Sequence, residues 1–134
     1  MTSLGLVVAS FHRPITERME QSARDAAAAR GATVVETLHV PGAYDAPLAA
    51  DRLARRDDVD GVAVLGAIVT GDTDHDQVIG AAAAEGLTRV SLDRDKPVTL
   101  GISGPGQTPQ EAVDRVDKGA DAVESACDLV EALS

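Results

Sequence analysis

Apolar and polar positions switch between two periods along the chain. Short apolar runs at 4–10 (LGLVVAS), 33–40 (TVVETLHV), 61–69 (GVAVLGAIV) and 97–103 (PVTLGIS) have the length of strands. The run at 61–69 is the most apolar, so it is expected at the sheet centre. Helical stretches lie between the runs. The first follows Pro14 and reaches Arg30, where Gly31 closes it; the second spans about Asp45 to Arg56, after the Pro41-Gly42 stop. A third runs from about Thr73 to Gly86 or further. TPQE (108–111) then opens one last helix, with Thr108 as N-cap, Pro109 in the first turn and Glu111 completing a capping box. Val113, Val116, Ala120, Val123, Cys127 and Val130 form one apolar stripe on it, which makes Cys127 a buried core thiol rather than a nucleophile.

Four β-α units in series predict a parallel sheet covered by helices on both faces, joined by right-handed crossovers. No linker, repeat or low-complexity segment interrupts residues 1–134, so one domain is expected. Ligands of such folds bind at the carboxyl ends of the strands. Those ends here are SFH (10–12), VPGAYD (40–45), GAIVTGDTDH (66–75) and GISGPGQT (101–108). The unusual polar and glycine-rich segments of the chain fall at these four places.

Composition narrows the function classes. The net charge of −10 argues against nucleic-acid binding, which needs a basic footprint. Lys96 and Lys118 are the only lysines, and Asp outnumbers Glu. A surface of that kind fits a salt-loving host, where screening reduces self-repulsion, as well as an ordinary acidic protein. No apolar run is long enough to span a membrane and no charged leader precedes the first strand, so a cytoplasmic protein is expected. A lone cysteine fits a reducing compartment. With Phe11 and Tyr44 as the only aromatics, the core must be built from Val, Ile, Leu and much Ala. Small side chains bury little area, so a large subunit interface is expected.

The acidic knot at 72–76 opens like a calcium loop, with Asp72, Asp74 and Asp76, but Gln77 replaces the turn glycine and Ala83 the bidentate glutamate. Only His75 is a local transition-metal ligand. No metal is expected; Asp72 or Thr73 caps the helix, and Asp74 and Asp76 favour its positive end. His75 reads as a proton donor or acceptor in the helix first turn, or as an exposed helix histidine. GISGPGQT has the G-x-x-x-x-G of a phosphate loop but Gln107 stands in place of its lysine, which argues for a loop shaping a ligand pocket over triphosphate hydrolysis. Arg115 suits bidentate phosphate contact or is an exposed helix charge, and His39 reads as structural.

Taken together, the strand-end motifs resemble the 6,7-dimethyl-8-ribityllumazine synthase family. VPGAYD is similar to its V-P-G-A-[FY]-E segment, and LGAIVTGDTDHDQV to its L-G-x-x-[IV]-x-G-x-T-x-H segment. KPVTLGISGPGQT and AVDRVDKG resemble an archaeal version of its fourth strand and last helix, and the likeness covers roughly 4–130. The resemblance implies a three-layer α/β/α, flavodoxin-like fold with a four-stranded parallel sheet. It implies condensation of 5-amino-6-(D-ribitylamino)uracil with 3,4-dihydroxy-2-butanone 4-phosphate, without metal or organic cofactor. It places Phe11 on the pyrimidine, the backbone of Ala67, Ile68 and Val69 at the ring edge, and Ala43, Tyr44 and Asp45 along the ribityl chain. It places Gly71, Asp72, Thr73 and Arg115 at the phosphate, and makes His75 the proton-transferring residue. Lys118 aligns with a substrate-binding lysine, across a spacing shorter than in many bacterial members. His12 stands where asparagine is usual, Asp45 is one methylene shorter than glutamate, and Asp72 beside a phosphate is expected to point outward or cap. Arg115 and Leu100 are implied to come from an adjacent subunit, in a homo-oligomer that is a pentamer or a multiple of pentamers. Archaeal-type riboflavin synthase and a non-catalytic flavin- or lumazine-binding protein are the alternatives. The G-x-T-x-H segment and Arg115 favour the synthase, and a mere binder does not need His75.

Overall fold

A computed structural model describes residues 1–71 and 74–134. Four strands form one parallel sheet: β1 (Ser3–Ala9), β2 (Thr33–Val40), β3 (Gly61–Ala67) and β4 (Val98–Ser103), in the order β2-β1-β3-β4. The helices are α1 (Arg13–Ala29), a short 3-10 turn at Ala43–Asp45, α2 (Ala46–Ala54), α3 (Asp76–Arg94), α4 (Pro109–Asp114) and α5 (Lys118–Leu133). The expected three-layer flavodoxin-like arrangement is present, with β3 interior and buried along its whole length.

The strand period of two sorts the core into two clusters. Leu4, Leu6 and Val8 of β1, with Ala63 and Leu65 of β3, meet Ile15, Met19 and Ala23 of α1 and Val123 and Ala126 of α5. Val7, Val62 and Val64 point the other way, against Leu53 of α2 and Leu87 and Val90 of α3. Each fully buried Leu or Val side chain contributes about 1.5–3 kcal/mol. Cys127 is 1% exposed in the first cluster, and burial pushes its thiol up, which suits an inert core group.

The helix bounds take the longer of the two ends left open for α3, and depart from expectation at its start and in the last helix. Helix α3 continues through Gly86 to Arg94. A Cβ at Gly86 would lie 2.8 Å from Cγ of Pro47, so this glycine permits close α2–α3 packing instead of ending the helix. The same helix begins at Asp76, which puts His75 at its N-cap rather than within its first turn. The last helix is two helices. The Thr108 capping box forms as expected, Thr108 Oγ1 accepting from the Glu111 N–H at 3.1 Å and Glu111 Oε1 from the Thr108 N–H at 3.0 Å. The chain then turns at 115–117. Ser22 Oγ of α1 accepts from the Ala120 N–H and donates to Asp117, and Gly119 lies so close to the Met19 carbonyl that no side chain fits. Contact with α1 therefore restarts the helix as α5.

Candidate active site

A cleft of about 190 Å³ opens at the carboxyl ends of β1 and β3. Ala9, Ala43, Ala67 and Ile68 form its buried floor, and Ile79 of α3 and Gly42 complete it. Phe11 and Tyr44, 55% and 66% exposed, stand at its sides. The only two aromatic side chains of the chain thus border one apolar cleft. Exposed aromatics cost solvation, so their convergence at a strand-end pocket points to a planar apolar ligand.

Local backbone explains how they are held. The Phe11 N–H donates to the Pro41 carbonyl at 2.9 Å and the Ser10 N–H to the Val40 carbonyl at 2.8 Å, which ties the end of β1 to the turn carrying Tyr44. His12 then takes φ +62°, in the left-handed region, and its ring packs 4.8 Å from that of Phe11. Asn, Asp and His are the non-glycine side chains most enriched there, so His12 holds this conformation without a glycine. The Ile68 N–H is bonded to the Ser103 carbonyl at 2.8 Å, fixing the end of β3 to that of β4.

The cleft brings together five of the residues singled out in the sequence: Phe11, Ala43, Tyr44, Ala67 and Ile68. Val69 is buried next to them in the chain. Asp45 is not part of the lining; its Oδ2 accepts from the Gly42 N–H at 3.0 Å and so shapes the Tyr44 turn. Gly71, with φ +96°, and the exposed His75 flank the loop that leads into α3. Asp72 and Thr73, the proposed phosphate positions, lie outside the described residues, and the capping position expected of one of them is held by His75, because α3 begins only at Asp76. Ala9, Gly42 and Ile79 line the cleft without having been singled out. Ile79 was legible in principle, one helical turn beyond His75.

Leu100 and Lys118 do not reach this cleft. They lie with Thr99, Asp121, Ala122 and Ser125 along a shallow groove of about 220 Å³ beside β4, an outer strand of the sheet. Arg115 is exposed at the α4–α5 turn, not near the start of a long helix. Its Nη1 donates to Gln107 Oε1 at 2.9 Å and its Nη2 lies 3.4 Å from Glu111 Oε2. Leu100 and Lys118 therefore occupy a region separate from the cleft, whereas Arg115 is joined through Gln107 to the Ile68 carbonyl of the cleft floor.

Two larger recesses offer weaker chemistry. One of about 330 Å³ between α1 and β2 is lined by Arg13, Glu17, Glu20 and His39. Glu20 is already engaged there, 2.8 Å from His39 and from Arg24 outside the lining. Partial burial alone would raise the Glu20 carboxyl, but hydrogen bonds from His39 and Arg24 outweigh it and hold the carboxyl below its ordinary value. His39 is therefore a hydrogen-bond partner of Glu20, in keeping with a structural role. The other recess, about 440 Å³ around Asp60, Lys96 and Leu133, is at the opposite end of the sheet from the strand-end loops.

The family model for 6,7-dimethyl-8-ribityllumazine synthase matches residues 2–134. The chain belongs to the 6,7-dimethyl-8-ribityllumazine synthase family. A protein of that name from Halobacterium salinarum is 67% identical over 133 residues, covering 99% of this chain and 100% of the relative. Those from Halorubrum lacusprofundi and Methanocaldococcus jannaschii are 65% and 47% identical, covering 99% of this chain and 99% and 94% of their own lengths. The lumazine synthase matches thus span the cleft, the β4 groove and the Arg115 turn together. No helix among the described residues is long and apolar enough to cross a membrane.

Proposed function

We propose that the protein joins 5-amino-6-(D-ribitylamino)uracil to 3,4-dihydroxy-2-butanone 4-phosphate, forming 6,7-dimethyl-8-ribityllumazine and releasing phosphate, in riboflavin biosynthesis. Beyond family membership, the observation that carries this is the apolar strand-end cleft flanked by Phe11 and Tyr44. The cleft suits a flat heterocycle, with Phe11 stacked on the pyrimidine and the backbone of Ala67, Ile68 and Val69 reading its polar edge. Ala43 and Tyr44 border the ribityl chain, and Asp45 shapes the turn that carries them.

The chemistry needs proton transfer and charge stabilisation. An amine on the ring adds to the ketone carbonyl, and the adduct loses water. Phosphate leaves, and the second amine closes the new ring with loss of another water. His75 hands protons to and from these oxygens and nitrogens, the general acid–base role that imidazole fills most often. The departing phosphate gathers negative charge. Gly71, Asp72 and Thr73, which precede α3 in the sequence, are the residues assigned to it by family likeness, and Arg115 of a neighbouring protomer supplies a planar fork of N–H groups. Leu100 and Lys118 of that neighbour close the cleft. Such head-to-tail contacts close into rings, here a pentamer or an assembly of pentamers. The acidic, lysine-poor surface and the relatives in Halobacterium and Halorubrum support a cytoplasmic enzyme working at high salt.

The test is reconstitution. The pure protein at high salt, given both substrates, should form lumazine and release phosphate in equal amounts. Turnover no faster than the uncatalysed reaction sinks the proposal. Riboflavin made from lumazine alone would replace it with the dismutase reading.

A further inference from the structure

Gln107 occupies the position that a lysine holds in a phosphate loop, and it lies outside the lining of the cleft. Its side chain is 1% exposed and every polar atom on it is engaged. Nε2 donates to Ser103 Oγ at 2.9 Å and to the Ile68 carbonyl at 3.2 Å, while Oε1 accepts from Arg115 Nη1 at 2.9 Å. Its backbone carbonyl accepts from the Thr70 N–H at 2.8 Å. One buried amide therefore links the ring-binding end of β3, the start of the phosphate loop and the phosphate-binding arginine.

We infer that Gln107 is a positioning residue that aims the Arg115 guanidinium at the phosphate of the four-carbon substrate. This rests on the proposed reaction. The warrant is the neutrality of the tether. An amide oxygen orients the guanidinium through one N–H and leaves its charge and its other donors for an anion. A buried carboxylate in the same place would compete with phosphate for that charge. Glu111 is a carboxylate neighbour, but at 3.4 Å, with both side chains about half exposed, it competes weakly. Anchoring also lowers the freedom that Arg115 loses on binding. The lysine missing from the loop is thus replaced by an amide that holds a guanidinium contributed from the next turn of chain.

The test uses the assembled wild-type enzyme with Gln107→Leu, Gln107→Glu, Arg115→Ala and the Gln107→Leu/Arg115→Ala double variant. Michaelis constants for both substrates and inhibition by inorganic phosphate are measured. Gln107→Leu should weaken inorganic phosphate and the phosphate substrate about tenfold, the usual scale for a bond to a charged group, and change the pyrimidine constant less than about twofold. On an Arg115→Ala background the same change should add almost nothing, because the two residues act through one contact. Gln107→Glu should bind phosphate poorly when ionised. Its deficit relative to wild type should shrink as pH falls and the neutral acid replaces the amide. Equal weakening of both substrates, or an undiminished penalty without Arg115, overturns the inference. If Gln107→Leu fails to fold, a pH-independent deficit of Gln107→Glu overturns it instead. Normal Gln107→Leu behaviour beside a phosphate-defective Arg115→Ala removes the tether and spares the reaction; no wild-type turnover removes the reaction itself.

Discussion

The strand-end cleft and the β4 side of the same protomer are opposites in chemistry. The cleft is lined by apolar side chains and backbone, with two exposed aromatics. The β4 side carries Leu100, Lys118 and, at the adjoining turn, Arg115. The reaction proposed here needs both at once, since one substrate is a flat heterocycle and the other a small phosphate ester. Neither region suffices alone: an apolar cleft has no counter-charge for a leaving phosphate, and an exposed arginine has no pocket to hold a ring. The division explains why a protomer with so little aromatic content leaves both of its aromatics in solvent.

The sharpest way to break this comparison is to poison each half in a different chain. His75→Ala and Arg115→Ala should each lower kcat/KM by about 10²-fold, within the range for one general acid/base or one charge-assisted clamp. Co-assembled from denatured mixtures, they should recover about a quarter of wild-type activity, because a head-to-tail ring pairs an intact cleft with an intact arginine at one junction in four. Mixed rings that stay as inactive as either parent would place both residues in one protomer's site.

Two single substitutions sharpen the division of labour. Arg115→Ala should act on the phosphate substrate and leave the pyrimidine constant within about twofold. Phe11→Ala should do the reverse, raising the pyrimidine constant about three- to tenfold, the scale of a lost aromatic stack. Steady-state kinetics with each substrate varied in turn reads both. A common effect on both substrates from either variant would dissolve the distinction between the halves.

The two regions also differ in how much of them sequence reveals. The floor of the cleft follows from strand periodicity: once β1 and β3 are placed, Ala67 and Ile68 must fall at a strand end. The β2 run from Thr33 to Val40 is likewise delimited by its own apolar pattern and the Pro-Gly that stops it. The Arg115 turn is different. A continuous apolar stripe from Val113 to Val130 reads as one helix, and only contact of Ser22 and Met19 with the chain near Gly119 breaks it. Gly86 has a cause of the same kind, since it meets Pro47, 39 residues away in sequence but in contact across the α2–α3 interface. Gln107 was visible only as a missing lysine; its bonds to Ser103, Ile68 and Arg115 depend on loop geometry that no local period encodes.

The smallest expected effect concerns the frame that carries the cleft wall. Asp51 of α2 accepts from Arg94 Nε of α3 at 2.8 Å, and Arg55 adds a second cation. The hydrogen bond from Arg94, followed against burial by that from Arg55, holds the Asp51 carboxyl below its ordinary value. The sign follows from linkage. A carboxylate with a folded pKa below its unfolded value of about 3.9 adds stability at neutral pH, and that stability disappears as pH falls through the folded value. Asp51→Asn should therefore cost about 1 kcal/mol or less at neutral pH, the scale of a partly exposed ion pair, and flatten the loss of stability below about pH 4. Denaturant titrations across pH check this. Repeating them in molar salt should shrink the difference, because both arginine partners are exposed enough to be screened. A pH slope unchanged in Asp51→Asn would mean that α2 and α3 are held by Pro47, Gly86 and Leu87 alone, with the ion pair contributing nothing to the wall behind the cleft.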